Sequence, residues 1–184
     1  AGVCIILGMG MPTTAIYFLL ATLAAPPLIQ LGVEPMAAHM FVLYFGLMSM
    51  ITPPVALAAF TAANLAGADP MRTSLAALRF GWPGLVVPFL FVFGPSLLLY
   101  GTLLQVSLAA VTALGGIWMA SAGIAGYLAH PLTPVTRTAL TAGGLALMVP
   151  AEAFAGAWIV EVCGAVLCVF LVARLMGRNV SALS

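Results

Sequence analysis

Two short strings in this sequence expose backbone oxygen where an apolar helix would ordinarily hide it. Gly8-Met9-Gly10-Met11-Pro12-Thr13-Thr14 sets two glycines, a proline and two hydroxyls in a row, and Thr52-Pro53-Pro54 removes two consecutive amide donors from an apolar stretch. Both patterns break a helix. Broken backbone at membrane depth is tolerated where it lines a cavity, and its freed carbonyls and helix ends suit cations or anionic substrates. Carbonyls around residues 8 and 49, with the Thr52 hydroxyl, are hard oxygen ligands of the kind an alkali cation takes. Other chemistries lack their residues. No Ser/His, Asp/Asp or His/Glu pair falls at a useful helical spacing, which argues against an intramembrane enzyme. Cys4, Cys163 and Cys168 lie in apolar runs without a CxxC pair, so neither a zinc site nor a disulfide framework is indicated.

The elements that carry these strings must be membrane helices. The chain is 64% hydrophobic and 5% charged, against about 25% charged in a soluble domain. Five Arg, no Lys and four acids give a net charge of +1, which excludes a nucleic-acid surface. Residues 1 to 33, 35 to 68 and 80 to 136 carry no charge. Each stretch is long enough for a crossing of roughly 20 residues. The predicted fold is therefore all-α and integral to the membrane: a re-entrant hairpin over 1–30, a discontinuous helix over 36–66, and about four further transmembrane helices. At 1.5 Å per residue the 36–66 element would run roughly 46 Å, longer than the hydrocarbon core, and Thr52-Pro53-Pro54 falls inside it. In the hairpin, helix resumes at Thr13 or Thr14, both suitable N-caps, and Pro26-Pro27 disturbs it. Arg72 and Arg79, seven apart, predict an interfacial helix over 71–80. A span over 81–100 follows, with Trp82 and Tyr100 near its ends. Residues 101–184 form a membrane extension of about three helices, the first carrying Gly116, Ala120 and Gly123 at packing spacing. The opening AGVCIILG lies inside an apolar element, which predicts an upstream partner segment.

Placing residues 67–80 in the cytoplasm puts Arg72, Arg79, Arg137, Arg174 and Arg178 on one side, as the positive-inside rule expects. Glu34, Tyr100 and Glu152 then lie outside, and the C-terminus is cytoplasmic.

GMGMPTTA, the downstream Pro26, the LGVEP loop and SMITPPVALAAF, in that order and spacing, resemble the second half of the large permease subunit of tripartite ATP-independent periplasmic (TRAP) transporters. The closest likeness is to fused permeases that work with a TAXI-type binding protein. The likeness covers roughly residues 1–100, and 101–184 resembles the C-terminal extension of those permeases. It implies a fragment of an elevator-type, sodium-coupled importer in the bacterial inner membrane. It also implies a small organic, carboxylate-type solute delivered by a periplasmic solute-binding protein, and no organic cofactor. Carried over by position, the sodium ligands are Gly8, Ser49, Thr52 and Val55. Thr52 contributes its hydroxyl and the others mainly carbonyls. Ser49 stands where the family usually has Gly, and Ala56 where a Gly commonly follows the two prolines. Pro12, Thr13 and Thr14 are the candidate substrate contacts, with helix capping as the alternative role of the two threonines. The first sodium site would lie upstream.

Three polar side chains stand apart from that pattern. His39, near the start of its helix, reads as a packed or interfacial histidine, and His130, before Pro131, as a solvated one. Glu161 lies within an apolar span, about eight residues from its outer end, where a carboxylate is costly. A channel or a structural membrane subunit accounts for the hydropathy equally well, but not for two adjacent broken elements.

Overall fold

The computed structural model describes residues 1–128 and 130–180. These residues are overwhelmingly helical. A two-residue antiparallel ladder, Tyr127–Leu128 with His130–Pro131, is the exception. Three helical segments, Thr13–Gln30, Pro70–Phe93 and Leu103–Ala125, are long and apolar enough to cross a membrane. The chain divides into two compact units, Ala1–Leu98 and Leu99–Ser184.

In the first unit α1 (Gly2–Gly8) ends at Met9, whose backbone is extended, and Gly10 turns the chain with φ +82°. A residue with a β-carbon would be strained there. α2 (Thr13–Leu23) then runs back beside α1: Gly8 lies against Ile16, while Val3 and Cys4 share an apolar cavity with Leu23 and Leu28. The N-cap of α2 is Pro12, without a side-chain cap bond, so Thr13 opens the helix and neither threonine caps it. Pro26 and Pro27 sit in the first turn of α3 (Ala25–Gln30), where missing amides cost least.

α4 (Pro35–Met48) is the hub of this unit. Glu34 accepts the Ala37 amide at 2.9 Å and caps it. Its Phe41, Val42 and Phe45 join Cys4, Ile16, Leu20 and Ala25 in the core. α5 (Leu57–Ala66) follows the break at 49–56, and α6 (Pro70–Phe80) is capped by Asp69, which accepts the Arg72 amide at 2.7 Å. α7 (Pro83–Phe93) packs its Phe89 edge-on against Phe41 and Phe45, with ring centroids at 5.3 and 5.5 Å. The helix expected across 81–100 is shorter than that. It stops at Gly94, because Pro95 has no amide to continue the ladder, and a 3-10 turn over Pro95–Leu98 follows.

The second unit contains α8 (Leu103–Ala125), α9 (Pro134–Leu147) and α10 (Ala157–Val180). Thr102 and Gln105 form a capping box on α8, and Thr133 caps α9. Small residues bring the helices to backbone contact. A β-carbon on Gly144 would lie 2.5 Å from the Ala120 nitrogen, and one on Gly164 would lie 2.6 Å from the Leu147 nitrogen. Because α10 begins at Ala157, Glu161 is only four residues inside its helix, half-buried one turn from the end.

Candidate functional site

The break between α4 and α5 is built by amides that fold back and amides that are missing. Ser49, Met50 and Ile51 donate to the carbonyls of Gly46, Leu47 and Met48, tightening the end of α4 into 3-10 geometry. Pro53 and Pro54 have no amide to give, and the bond between them is cis. Ala58 donates back to the Met50 carbonyl at 3.0 Å, which closes the loop. The chain re-enters helix through Ala56, fully buried and left-handed at φ +37°. That conformation costs a residue with a β-carbon about 1 to 2 kcal/mol. It also explains why a glycine would be favoured at the position.

The tip of the α1–α2 turn seats on this break. A β-carbon on Gly8 would lie 2.8 Å from the Ser49 hydroxyl and 3.2 Å from the Gly46 carbonyl, so any other residue there would push the Ser49 side chain aside. Gly46 answers from the other side: a β-carbon there would lie 2.5 Å from Ile16 Cγ2 and 2.9 Å from Leu20 Cδ1. Gly10 faces Val55, 3.8 Å from its Cγ1 to the β-carbon position. Behind the break, Gly81 and Gly84 make room for Ile51 and Met48 at the start of α7.

The polar atoms at this junction are oxygens. Ser49 is 1% exposed and its hydroxyl donates to the Gly46 carbonyl at 2.6 Å, which satisfies it. The half-buried Thr52 donates its hydroxyl to the Met48 carbonyl at 2.7 Å, leaving the oxygen's lone pairs available as acceptors. Among the described residues, no backbone amide donates to the carbonyls of Gly8, Ser49 or Val55. A buried carbonyl without an amide donor takes another partner, such as a side chain, water or an ion. Among the described residues no group of three His, Cys, Asp or Glu comes together.

Of the residues singled out from sequence, Gly8 and Ser49 are in contact, Val55 lies against Gly10, and Thr52 lies between Ser49 and Val55 on the same segment. Pro12, Thr13 and Thr14 are exposed at the start of α2. His39 pairs with Tyr17, whose hydroxyl is 3.1 Å from its Nδ1, and so links α2 to α4. Gly46 was missed from sequence. One glycine three residues before Ser49 in an apolar helix is its only signal.

Helices interrupted by breaks that meet, in a multi-pass α-helical chain, are an arrangement that membrane transport components use to line a binding site. Residues 1–106 of the 184 match the family described as the tripartite ATP-independent periplasmic transporter, DctM component. The chain belongs to that family, and its role is that of the TRAP transporter permease, whose family implies a periplasmic binding protein as partner. No curated protein and no solved structure matches it.

Proposed function

We propose that the chain forms part of a sodium-coupled, elevator-type importer of the bacterial inner membrane. It takes up a small carboxylate solute delivered by a periplasmic binding protein of the TAXI type. The observation that carries this reading is the seating of Gly8 on Ser49, with β-carbon space closed to 2.8 Å, beside carbonyls that no backbone amide satisfies. Gly8, Ser49 and Val55 would hold a sodium ion through carbonyls and Thr52 through its hydroxyl. An alkali cation suits this set because its ligands are hard, neutral oxygens. The bound ion supplies positive charge that a neutral junction otherwise lacks.

The α1–α2 turn is the tip of a re-entrant hairpin in this reading. The start of α2 has no side-chain cap, and beside the exposed Pro12, which fixes the entry of the chain but has no donor, the exposed Thr13 and Thr14 would present their amides and hydroxyls toward a solute carboxylate. A placement of the crossings that sets all five Arg on one side supports a cytoplasmic C-terminus, as the positive-inside rule expects.

The test is solute-dependent sodium uptake by the permease in vesicles with its binding protein. Coupled fluxes, each requiring the other substrate, are expected. Sodium conductance without solute or binding protein would make the chain part of a channel. A membrane subunit of purely structural role would produce neither flux.

A further inference from the structure

Helix α6 carries two kinds of side chain on one outward face. Its inner face, at Ser74, Ala77 and Leu78, is taken by the protein: Ser74 is fully buried and its hydroxyl donates to the Met71 carbonyl at 2.9 Å. Outward stand Arg72, Leu75, Ala76 and Arg79, at the i, i+3, i+4, i+7 positions of one helical stripe. Met71 and Phe80 flank it, with Phe80 82% exposed, and Leu65 at the end of α5 is 87% exposed beside the α5–α6 corner.

A water-facing helix would explain the guanidiniums but not the apolar side chains between and beside them. A helix face buried in hydrocarbon would explain the reverse. The boundary between the two media accommodates both, with apolar groups entering the acyl region and long cationic side chains reaching the headgroups. Asp69 accepts the Arg72 amide through Oδ1 and so caps the N-terminus of α6, below the stripe. Arg72 and Arg79 lie roughly 10 Å apart along the helix, and guanidinium is the side chain best matched to phosphate oxygens.

We propose that this edge of α6 binds the phosphate group of an anionic phospholipid, with Arg72 and Arg79 on the headgroup and Leu75 and Phe80 in the acyl region beside it. The proposal stands on this stripe alone and holds whether or not the permease is sodium-coupled.

Trp82, three residues beyond Arg79, is a built-in reporter. The other two tryptophans are Trp118 and Trp158. The full chain with Trp118→Phe and Trp158→Phe is reconstituted in phosphatidylcholine bilayers containing brominated phosphatidylglycerol or brominated phosphatidylcholine. Quenching of Trp82 reads the relative association of each lipid. Phosphatidylglycerol is expected to quench in excess. Arg72→Gln and Arg79→Gln each reduce that preference roughly fivefold, and together roughly 30-fold, while Lys at both positions keeps most of it. Inorganic phosphate at fixed ionic strength leaves the quenching unchanged. Equal quenching by the two lipids in the unsubstituted stripe overturns the proposal. So does a preference that survives both Gln substitutions at unchanged helix content. Displacement by inorganic phosphate would assign the stripe to a free anion and reject the lipid.

Discussion

In the first unit Gly8 brings the tip of the α1–α2 turn onto the end of α4, whereas in the second Gly116, Gly143, Gly144 and Gly164 bring the flanks of continuous helices together. The small residues act alike in both places, removing β-carbons from a close approach. Proline makes the difference. Pro12, Pro53 and Pro54 interrupt the first unit at the point of approach, so carbonyls there lose their helical donors. Within α8 there is no proline, and in α9 and through residue 180 of α10 the only one is Pro134 in the first turn of α9. Close contact in the second unit therefore yields packing, and close contact in the first yields a polar junction.

This contrast predicts different consequences for the same substitution. Gly144→Ala sets a β-carbon against backbone atoms of α8 that cannot yield, and should destabilise the second unit by about 3 kcal/mol. Detergent-solubilised protein, unfolded by heat and followed by circular dichroism, would show it. Gly115→Ala, whose β-carbon would meet only Leu147 Cδ2 at an ordinary 3.6 Å, should not lower the transition and, as a helix-interior glycine replaced by alanine, should raise it slightly. Comparable losses from both would refute the backbone-contact account.

Gly8→Ala meets a movable group instead, the Ser49 hydroxyl at 2.8 Å. Its cost should be about 1 to 2 kcal/mol and should fall on sodium affinity, weakening it roughly five- to 30-fold. Adding Ser49→Gly removes the clash and should restore most of the loss, as coupled neighbours do. If Gly8→Ala instead lowers thermal stability alone, the junction is packing of the second-unit kind.

A smaller effect of opposite sign is expected at Ala56. Relief of its left-handed conformation in Ala56→Gly should stabilise the first unit by about 1 kcal/mol, read from the same thermal transition. A destabilised variant would mean that the break is held by the alanine side chain.

The breaks themselves were legible because proline acts through what it lacks. A missing amide is visible in the sequence whatever surrounds it, and Pro53-Pro54 ends α4 within a few residues of where the string indicates. The same signal at Gly94-Pro95 was available and was overridden by the hydropathy of 81–100, which measures lipid compatibility and not helix continuity. The partner of Gly46 was not legible, since Ile16 and Leu20 reach it from 26 to 30 residues away and nothing local marks the meeting. Thr13 and Thr14 were ambiguous for a related reason: cap position depends on the ψ of Pro12, 151° here, which the proline ring leaves open although it fixes φ. Glu161 lies nearer the start of its helix than the apolar run including Phe154 indicates, because α10 begins at Ala157, just after Gly156 at φ +95°.

The central claim is that Thr52 and its neighbours hold the coupling ion, and the sodium dependence of solute uptake by Thr52→Val tests it most directly. Thr61→Val is the matched control, because both hydroxyls donate to the carbonyl four residues back, at 2.7 Å for Thr52 and 2.8 Å for Thr61. Loss of that bond alone therefore affects both variants. The account predicts that Thr52→Val raises the sodium concentration needed for half-maximal uptake roughly five- to 150-fold, from about 1 to 3 kcal/mol for one lost buried ligand. Thr52→Ser and Thr61→Val should leave it near the unsubstituted value. An unchanged sodium dependence in a normally expressed Thr52→Val permease would contradict the claim and reduce the Thr52-Pro53-Pro54 break to a structural kink.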